Sequence, residues 1–119
     1  MKLLKLADAS QAIHKVANQD LSMKTLHRIS RQIDAIRPHL EFFDTKQAEI
    51  LEKHCEKDEK GYKINDSNRN IVESELQELY DVEVDDINPV EIPDSENLKI
   101  SYADMKALDG IITIKFTEE

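Results

Sequence analysis

Side chains that could bind a metal or act as a nucleophile are few in this sequence. No two histidines lie four residues apart, as on one face of a helix, and there is no C-x-x-C pair, so the usual spacing of zinc ligands is absent. Adjacent side chains on a helix diverge by about 100°, which argues against a nucleophilic pair of His54 and Cys55. We therefore predict no catalytic residue, no metal site and no cofactor. His54 is expected to be a partly buried helix-end residue and Cys55 a neutral, half-exposed thiol. The four histidines and the single cysteine of the chain are His14, His27, His39, His54 and Cys55.

Carboxylates are the other chemically suggestive group, and they are concentrated in the second half of the chain. Residues 1–57 carry a net charge of +2 and residues 58–119 a net charge of −11, which together give the −9 of the 119-residue chain. Paired acids such as Asp85 and Asp86 act in acid–base catalysis or bind calcium only within a concave site, and residues 58–67 lack the acidic ladder of a calcium loop. Two interpretations remain open: the acids solvate the surface, or they form a binding face for a basic partner.

We predict that the exposed acids of this half bind a protein with a basic surface. Because an acidic half repels phosphate and lipid headgroups, we expect neither direct nucleic-acid binding nor membrane binding. Phe42 faces outward beside inward-facing Phe43, and is expected either to be covered by the sheet layer or to be an exposed contact residue. The predicted partner-binding residues are Phe42, Glu73, Glu78, Asp81, Glu83, Asp85, Asp86 and Glu91.

A short basic stripe is the feature that would favour nucleic acid instead. Lys24, Arg28 and Arg31 are spaced i, i+4 and i+7, with Arg37 further along, and such a stripe could contact phosphate. No aromatic residue is interleaved with these side chains, and the protein as a whole is anionic. We therefore expect the stripe to pair with the acidic half of the same chain.

The element that must position these residues is a long amphipathic helix, predicted over residues 22–58. Ser22 is its expected N-cap, and Gly61 suits the left-handed position after its last turn. Pro38 removes a backbone hydrogen-bond donor, so we expect a kink there, with the apolar stripe in phase on both sides. The stripe has the spacing 3, 4, 3, 4 and 3 of a heptad pattern: Leu26, Ile29, Ile33, Ile36, Leu40 and Phe43.

Two shorter helices are predicted to cover this stripe. The first spans residues 8–18, and the second spans residues 67–81 with Asp66 or Ser67 as its cap. Residues 57–66 form a polar reversal, so the second helix runs antiparallel to the far end of the long one. Residues 8–81 are therefore expected to form the helical part of the protein.

The C-terminal third changes to the apolar–polar alternation of β-strands. We predict a small antiparallel sheet over residues 82–117, interrupted by a short helix whose cap is formed by Ser101 and Asp104. The predicted fold class is α+β, with residues 1–119 as a single domain. The short helix is expected to bury one face, formed by Tyr102, Met105 and Leu108.

The order of these motifs resembles that of small proteins of unknown function encoded by tailed bacteriophages. The resemblance extends over most of the chain and implies a helical hairpin with a short β-rich C-terminus, but no activity and no functional residue. The motifs are the Lys-Asp-Glu-x-Gly turn at 57–61, the Glu-Leu-x-Glu-Leu helix at 75–79, the Leu-x-Ile-Ser-x-x-Asp segment at 98–104 and the apolar strand at 111–116.

The functional expectation is a non-enzymatic, phage-encoded interaction protein. It would use its acidic surface to bind a basic surface of a host or defence protein in the bacterial cytoplasm. The alternative is a virion or tail assembly component that associates, or forms homo-oligomers, through the helical hairpin. No apolar run approaches the roughly 18 residues of a membrane span, and residues 1–6 are too short for a signal-peptide core.

Overall fold

A computed structural model describes residues 1–94, 96 and 98–116 of the chain. The α+β class is confirmed, and the molecule is elongated, measuring 61 × 29 × 24 Å. None of the helices in the described ranges is both long and apolar enough to cross a membrane. The elements, in chain order, are α1 (Leu3–Ala17), α2 (Met23–His54), β1 (Glu56–Asp58), β2 (Gly61–Lys63), α3 (Arg69–Tyr80), β3 (Val90–Pro93), α4 (Tyr102–Ala107) and β4 (Ile112–Lys115).

The long helix α2 sets the length of the molecule, since its 32 residues extend about 48 Å at 1.5 Å per residue. Ser22 is confirmed as the N-cap, and its hydroxyl accepts a hydrogen bond from the amide of Thr25 at 3.3 Å. The helix continues through Pro38, whose ring is exposed to solvent. The predicted stripe lies on its inner face, with three members buried and three half-buried: Ile29, Ile36 and Phe43, and Leu26, Ile33 and Leu40.

The far end of α2 differs from the prediction, because the helix ends four residues early and a β-hairpin follows. Cys55 is already extended, and β1 pairs antiparallel with β2 so that Asp58 lies opposite Gly61. Gly61 does adopt a positive φ of 119°, but in this hairpin and not after a helix. Strand pairing satisfies backbone groups that a frayed polar helix end would leave to water, which explains the shorter helix.

The helices that flank α2 pack against it as predicted, but their first and last residues differ from the predicted ones. α3 is antiparallel to α2, but its N-cap is Asn68 and not Asp66 or Ser67. α1 begins five residues earlier than predicted, because Leu3 and Leu6 extend its buried face. Its first turn is held by residues 82–84: the Leu3 amide donates to the Val82 carbonyl at 2.8 Å. Residues 82–84 thus bridge to the N-terminus and do not join the C-terminal sheet.

The C-terminal sheet is parallel, which corrects the predicted antiparallel arrangement. β3 pairs with β4 in a register that places Val90 opposite Ile112. The intervening α4 returns the chain to the starting end of the sheet, as a parallel crossover requires. Ser101 caps α4 as predicted, accepting from the Asp104 amide at 3.1 Å.

The buried face of α4 is smaller than predicted. Leu108, just after the helix, is buried, but Tyr102 and Met105 are exposed. The helix is only six residues long, and its half-buried residues are Asp104, which lies 3.4 Å from Lys15 of α1, and Ala107, which packs against the core. Tyr102 and Met105 therefore lie on the side that is exposed to solvent.

Candidate functional site

An acidic strip runs antiparallel along almost the full length of α2. Residues 70–98 contain ten Asp/Glu and no Lys or Arg, and contacts to α2 follow this segment over about 45 Å. The strip is defined by Glu73, Glu75, Glu78, Asp81, Glu83, Asp85, Asp86, Glu91, Asp94 and Glu96. The contacts that mark its path are His54 with Glu75, stacked Phe43 with Tyr80, His39 with Asp86, Arg28 with the Glu91 carbonyl, and Thr25 with Glu96.

The structure exposes all seven predicted acids, but it does not place them on one face. Glu73 and Glu78 are five residues apart on α3, which separates them by about 140° around the helix. Glu78 lies beside α2, in a groove that does not include Glu73. The remaining five follow α3 along the chain towards the N-terminal end of α2: Asp81, Glu83, Asp85, Asp86 and Glu91.

Two of these charges are compensated within the chain: Asp81 Oδ1 lies 2.9 Å from Lys2 Nζ, and Glu83 lies 3.5 Å from the N-terminal amine. Asp86 is in hydrogen-bond contact with His39, whose Nε2 lies 2.9 Å from its Oδ1. Four predicted residues make no ion pair with any residue that the structure describes, and they therefore carry the net charge of the strip outward: Glu73, Glu78, Asp85 and Glu91.

Two carboxylates anchor the strip to the rest of the fold. The hydrogen bond from Lys2, with a second from Gln77, lowers the pKa of Asp81. The hydrogen bond to Asp81 and the negative charge of that carboxylate in turn raise the pKa of Lys2. The hydroxyls of Ser22 and Thr25 and the Ser22 amide donate to Glu96, which lowers the pKa of that carboxyl below its ordinary value of 4.5. Glu96 therefore stays charged at neutral pH and holds the end of the strip against the first turn of α2.

An apolar groove interrupts the strip between α2 and α3. Phe42 is 46% exposed and Val82 40% exposed, and with Ile50 they line a cavity of about 360 Å³ that Glu75, Glu78 and Lys46 also border. The sheet does not cover Phe42, because it meets α2 in the N-terminal half of that helix. There Arg28 donates to the Glu91 carbonyl of β3, and Gln32 donates to the Asn88 carbonyl just before β3. Of the two alternatives for Phe42, the structure thus gives exposure.

Among the residues that the structure describes, the basic stripe makes no ion pair with the acidic half, which corrects that expectation. Arg28 donates to the backbone carbonyl of Glu91 at 3.3 Å, and Arg37 pairs with Asp34 on its own helix at 3.1 Å. Lys24 and Arg31 make no ion pair within the described part of the chain. Lys24 and Arg31 are therefore exposed positive charges of α2 that the acidic strip does not neutralise.

The histidine and cysteine of the far end have structural partners. His54 is the last residue of α2, and its Nε2 lies 2.7 Å from Glu75 Oε2. Cys55 is half-buried, and its Sγ lies 3.7 Å from the Asn68 amide, which also donates to the His54 carbonyl. Within residues 1–94, 96 and 98–116, no three His, Cys, Asp or Glu side chains are grouped so that they could hold a metal ion.

Comparison with protein-family models, with curated proteins and with solved structures found no match to this chain. The candidate site is therefore defined by its geometry alone. What the geometry offers is an elongated anionic surface with an apolar groove at its centre.

Proposed function

We propose that the protein is a non-catalytic interaction protein whose acidic strip occupies a basic surface of another protein. The single observation that carries this proposal is the run of ten acids without a Lys or Arg, laid along a helix of about 48 Å. Exposed charges of one sign on an elongated surface accelerate association with a surface of the opposite sign.

The groove at Phe42 and Val82 supplies exposed apolar area for binding, which the charges of the strip do not. Partly exposed apolar side chains at the centre of a polar rim are typical of the residues that dominate binding energy in protein interfaces. We therefore expect the partner to present an apolar side chain flanked by Lys or Arg. A cleft built for a nucleic-acid backbone would match the length and charge of the strip, and the resemblance to phage proteins favours a host or defence protein in the bacterial cytoplasm.

The test is capture of a partner from a bacterial lysate, followed by titration against matched variants. Glu78→Lys with Asp85→Lys reverses two charges of the strip that have no partner among the described residues. Glu52→Lys with Glu59→Lys makes the same change in net charge at exposed positions outside the strip. We expect the first pair to weaken binding at least tenfold and the second to leave it nearly unchanged. Equal affinities for both, or affinity that does not fall with salt, would contradict the proposal.

The second candidate is self-association through the helical hairpin, as in an assembly component of a virion. It is favoured by two exposed apolar side chains at the end of the molecule that carries the β1–β2 hairpin, where Ile64 is 46% and Ile71 47% exposed. Sedimentation of wild type and Ile71→Ser distinguishes the two functions, since only an assembly surface would make the wild type oligomeric and the variant monomeric.

A further inference from the structure

The two edges of the β3–β4 sheet differ in their capacity to accept another strand. On the outer edge of β3, Pro93 has no amide hydrogen, its carbonyl accepts from Glu96, and the Glu91 carbonyl accepts from Arg28. Along β4, the Ile111 carbonyl accepts from Val90 of β3, and the Lys115 carbonyl accepts from Asp94, which follows β3. The alternating geometry of a strand therefore directs the amide and carbonyl of Ile114 away from β3. Among the described residues, none hydrogen-bonds to Ile114 on this side, and the edge of β4 is thus the open one there.

A cleft runs along this open edge. It has a volume of about 260 Å³, and three consecutive residues of β4, Ile112 to Ile114, line it. Because side chains alternate between the faces of a strand, a cleft against one face would not meet three in a row, so this cleft lies beside the backbone. Buried Val16 and Leu108 lie at the base of the cleft, and Phe116, 75% exposed, lies at its rim.

The opposite wall of the cleft is held in place from α1. Leu98 and Ile100 form this wall, and the intervening Lys99 exchanges two hydrogen bonds with the side chain of Gln19: its amide donates to Oε1 at 2.7 Å, and its carbonyl accepts from Nε2. The cleft is smaller than the roughly 300–1,000 Å³ of small-molecule sites, so it suits one or two apolar side chains of a peptide rather than a cofactor.

Two lysines adjoin the cleft at the end of the acidic strip, where the Asp94 amide donates to the Lys115 carbonyl at 3.0 Å. Lys99 and Lys115 adjoin its lining residues, are exposed, and form no ion pair with any residue that the structure describes. Asp109, which lines the cleft, lies 3.8 Å from Lys5. A second copy of the chain paired through β4 would bring like charges together, whereas an acidic segment would complement the lysines.

We propose that the open edge of β4 and the adjoining cleft bind an extended, acidic segment of a partner protein. The segment would add a strand to the sheet by bonding to Ile114, place an apolar side chain against Val16 and Leu108, and direct carboxylates to Lys99 and Lys115. This surface begins where the acidic strip ends, since the Asp94 amide donates to the Lys115 carbonyl and Leu98 lies in the cleft wall. The two surfaces would therefore engage different parts of one partner or different partners.

The experiment selects ligands from a displayed library of random decapeptides on the wild-type protein, and then measures binding of the enriched peptides. Ile114→Pro removes the outward amide without a bond to β3, and Lys115→Glu reverses a charge beside the cleft; Lys24→Glu is the matched charge control on α2. We expect enriched sequences that alternate apolar residues with Asp or Glu. Their affinity should fall about tenfold in Ile114→Pro, fall in Lys115→Glu and hold in Lys24→Glu.

Hydrogen exchange keeps the test valid if Ile114→Pro does not fold. In the wild type, the Ile114 amide should exchange rapidly in the free protein and slowly once the peptide is bound. Failure to enrich any peptide, enrichment of basic sequences, or an Ile114 amide whose exchange rate is unchanged by peptide would overturn the proposal. So would a wild-type dimer that Ile114→Pro converts to a monomer, since a second copy would then occupy the edge.

Discussion

The side-chain amide of Gln32 donates to the Ile111 carbonyl at 3.0 Å, deep between α2 and the C-terminal sheet. The same nitrogen donates to the Asn88 carbonyl at 2.8 Å, and its two hydrogens allow both bonds at once. Gln32 is only 6% exposed and joins α2 to the residues that precede β3 and β4. This one side chain therefore links α2 to the starts of both strands of the sheet.

Gln32→Leu should destabilise the protein by about 1 kcal/mol or more, because the Asn88 carbonyl loses this donor and the buried Ile111 carbonyl keeps only the amide of Val90. Chemical denaturation of the variant measures this loss. Gln11→Leu is the control, since Gln11 is exposed on α1 and its replacement should change stability by less than about 0.5 kcal/mol. Wild-type stability in Gln32→Leu would mean that other contacts position the sheet.

The long helix could be predicted from sequence because its stripe repeats a local signal over five intervals. Ile29, Ile36 and Phe43 are buried as the heptad spacing requires. The direction of the β3–β4 pairing could not be predicted in this way. It depends on a crossover through α4 and on the contact of Gln32 with Ile111, which lies 79 residues further along the chain.

The candidate site was likewise predictable from the sequence only in part. Exposure of Glu78, Asp85 and Glu91 followed from local charge and periodicity. The groove at Phe42 did not, because it depends on Val82 lying beside α2, a contact between segments about 40 residues apart. Charge pairing across the fold is similarly non-local. The expected ion pairs between the basic stripe and the acidic half were therefore not predictable from local spacing, and among the described residues that expectation was wrong.

Ile36→Asp should unfold the protein, since Ile36 is 2% exposed in the stripe and a buried, unpaired carboxylate costs several kcal/mol. Ala35→Asp is the matched control, because Ala35 is the preceding residue of α2 and is exposed. Circular dichroism melts compare the two. A folded Ile36→Asp with a melting temperature close to that of Ala35→Asp would show that the stripe is not the core.

Pro38→Ala should keep the fold and raise its stability by about 1 kcal/mol or more. The alanine amide can donate to the Asp34 carbonyl within the continuous helix α2, and alanine has the higher helix propensity. Thermal melts of the variant measure the gain. A lower melting temperature would show that a bend at Pro38 is needed where α2 meets the other helices.

Stability should fall as the pH drops below about 4.5, in part because of Glu96. Its pKa is lower in the folded protein than in the unfolded chain. The stabilisation is therefore complete above the unfolded value and is lost as the pH falls through the folded one. Glu96→Gln should melt at a lower temperature than wild type at neutral pH, and the difference should shrink on acidification. Glu91→Gln is the control, because it removes the same charge without touching the hydrogen bonds of Ser22 and Thr25, and it should melt close to wild type at neutral pH. A constant difference for Glu96→Gln from neutral to acidic pH would contradict this role.

Phe42→Ser should act on the lifetime of the captured complex, whereas charge reversal in the strip should act on its formation. Phe42 is 46% exposed, so its removal should spare the fold while taking apolar area from the centre of the groove. We expect dissociation to be about tenfold faster in Phe42→Ser, and association to be slower in Glu78→Lys with Asp85→Lys. Tyr102→Ser is the matched control, because it removes an exposed aromatic ring that lines neither the groove nor the β4 cleft. Surface plasmon resonance gives both rates, and equal dissociation rates for Phe42→Ser and Tyr102→Ser would exclude the groove from the interface.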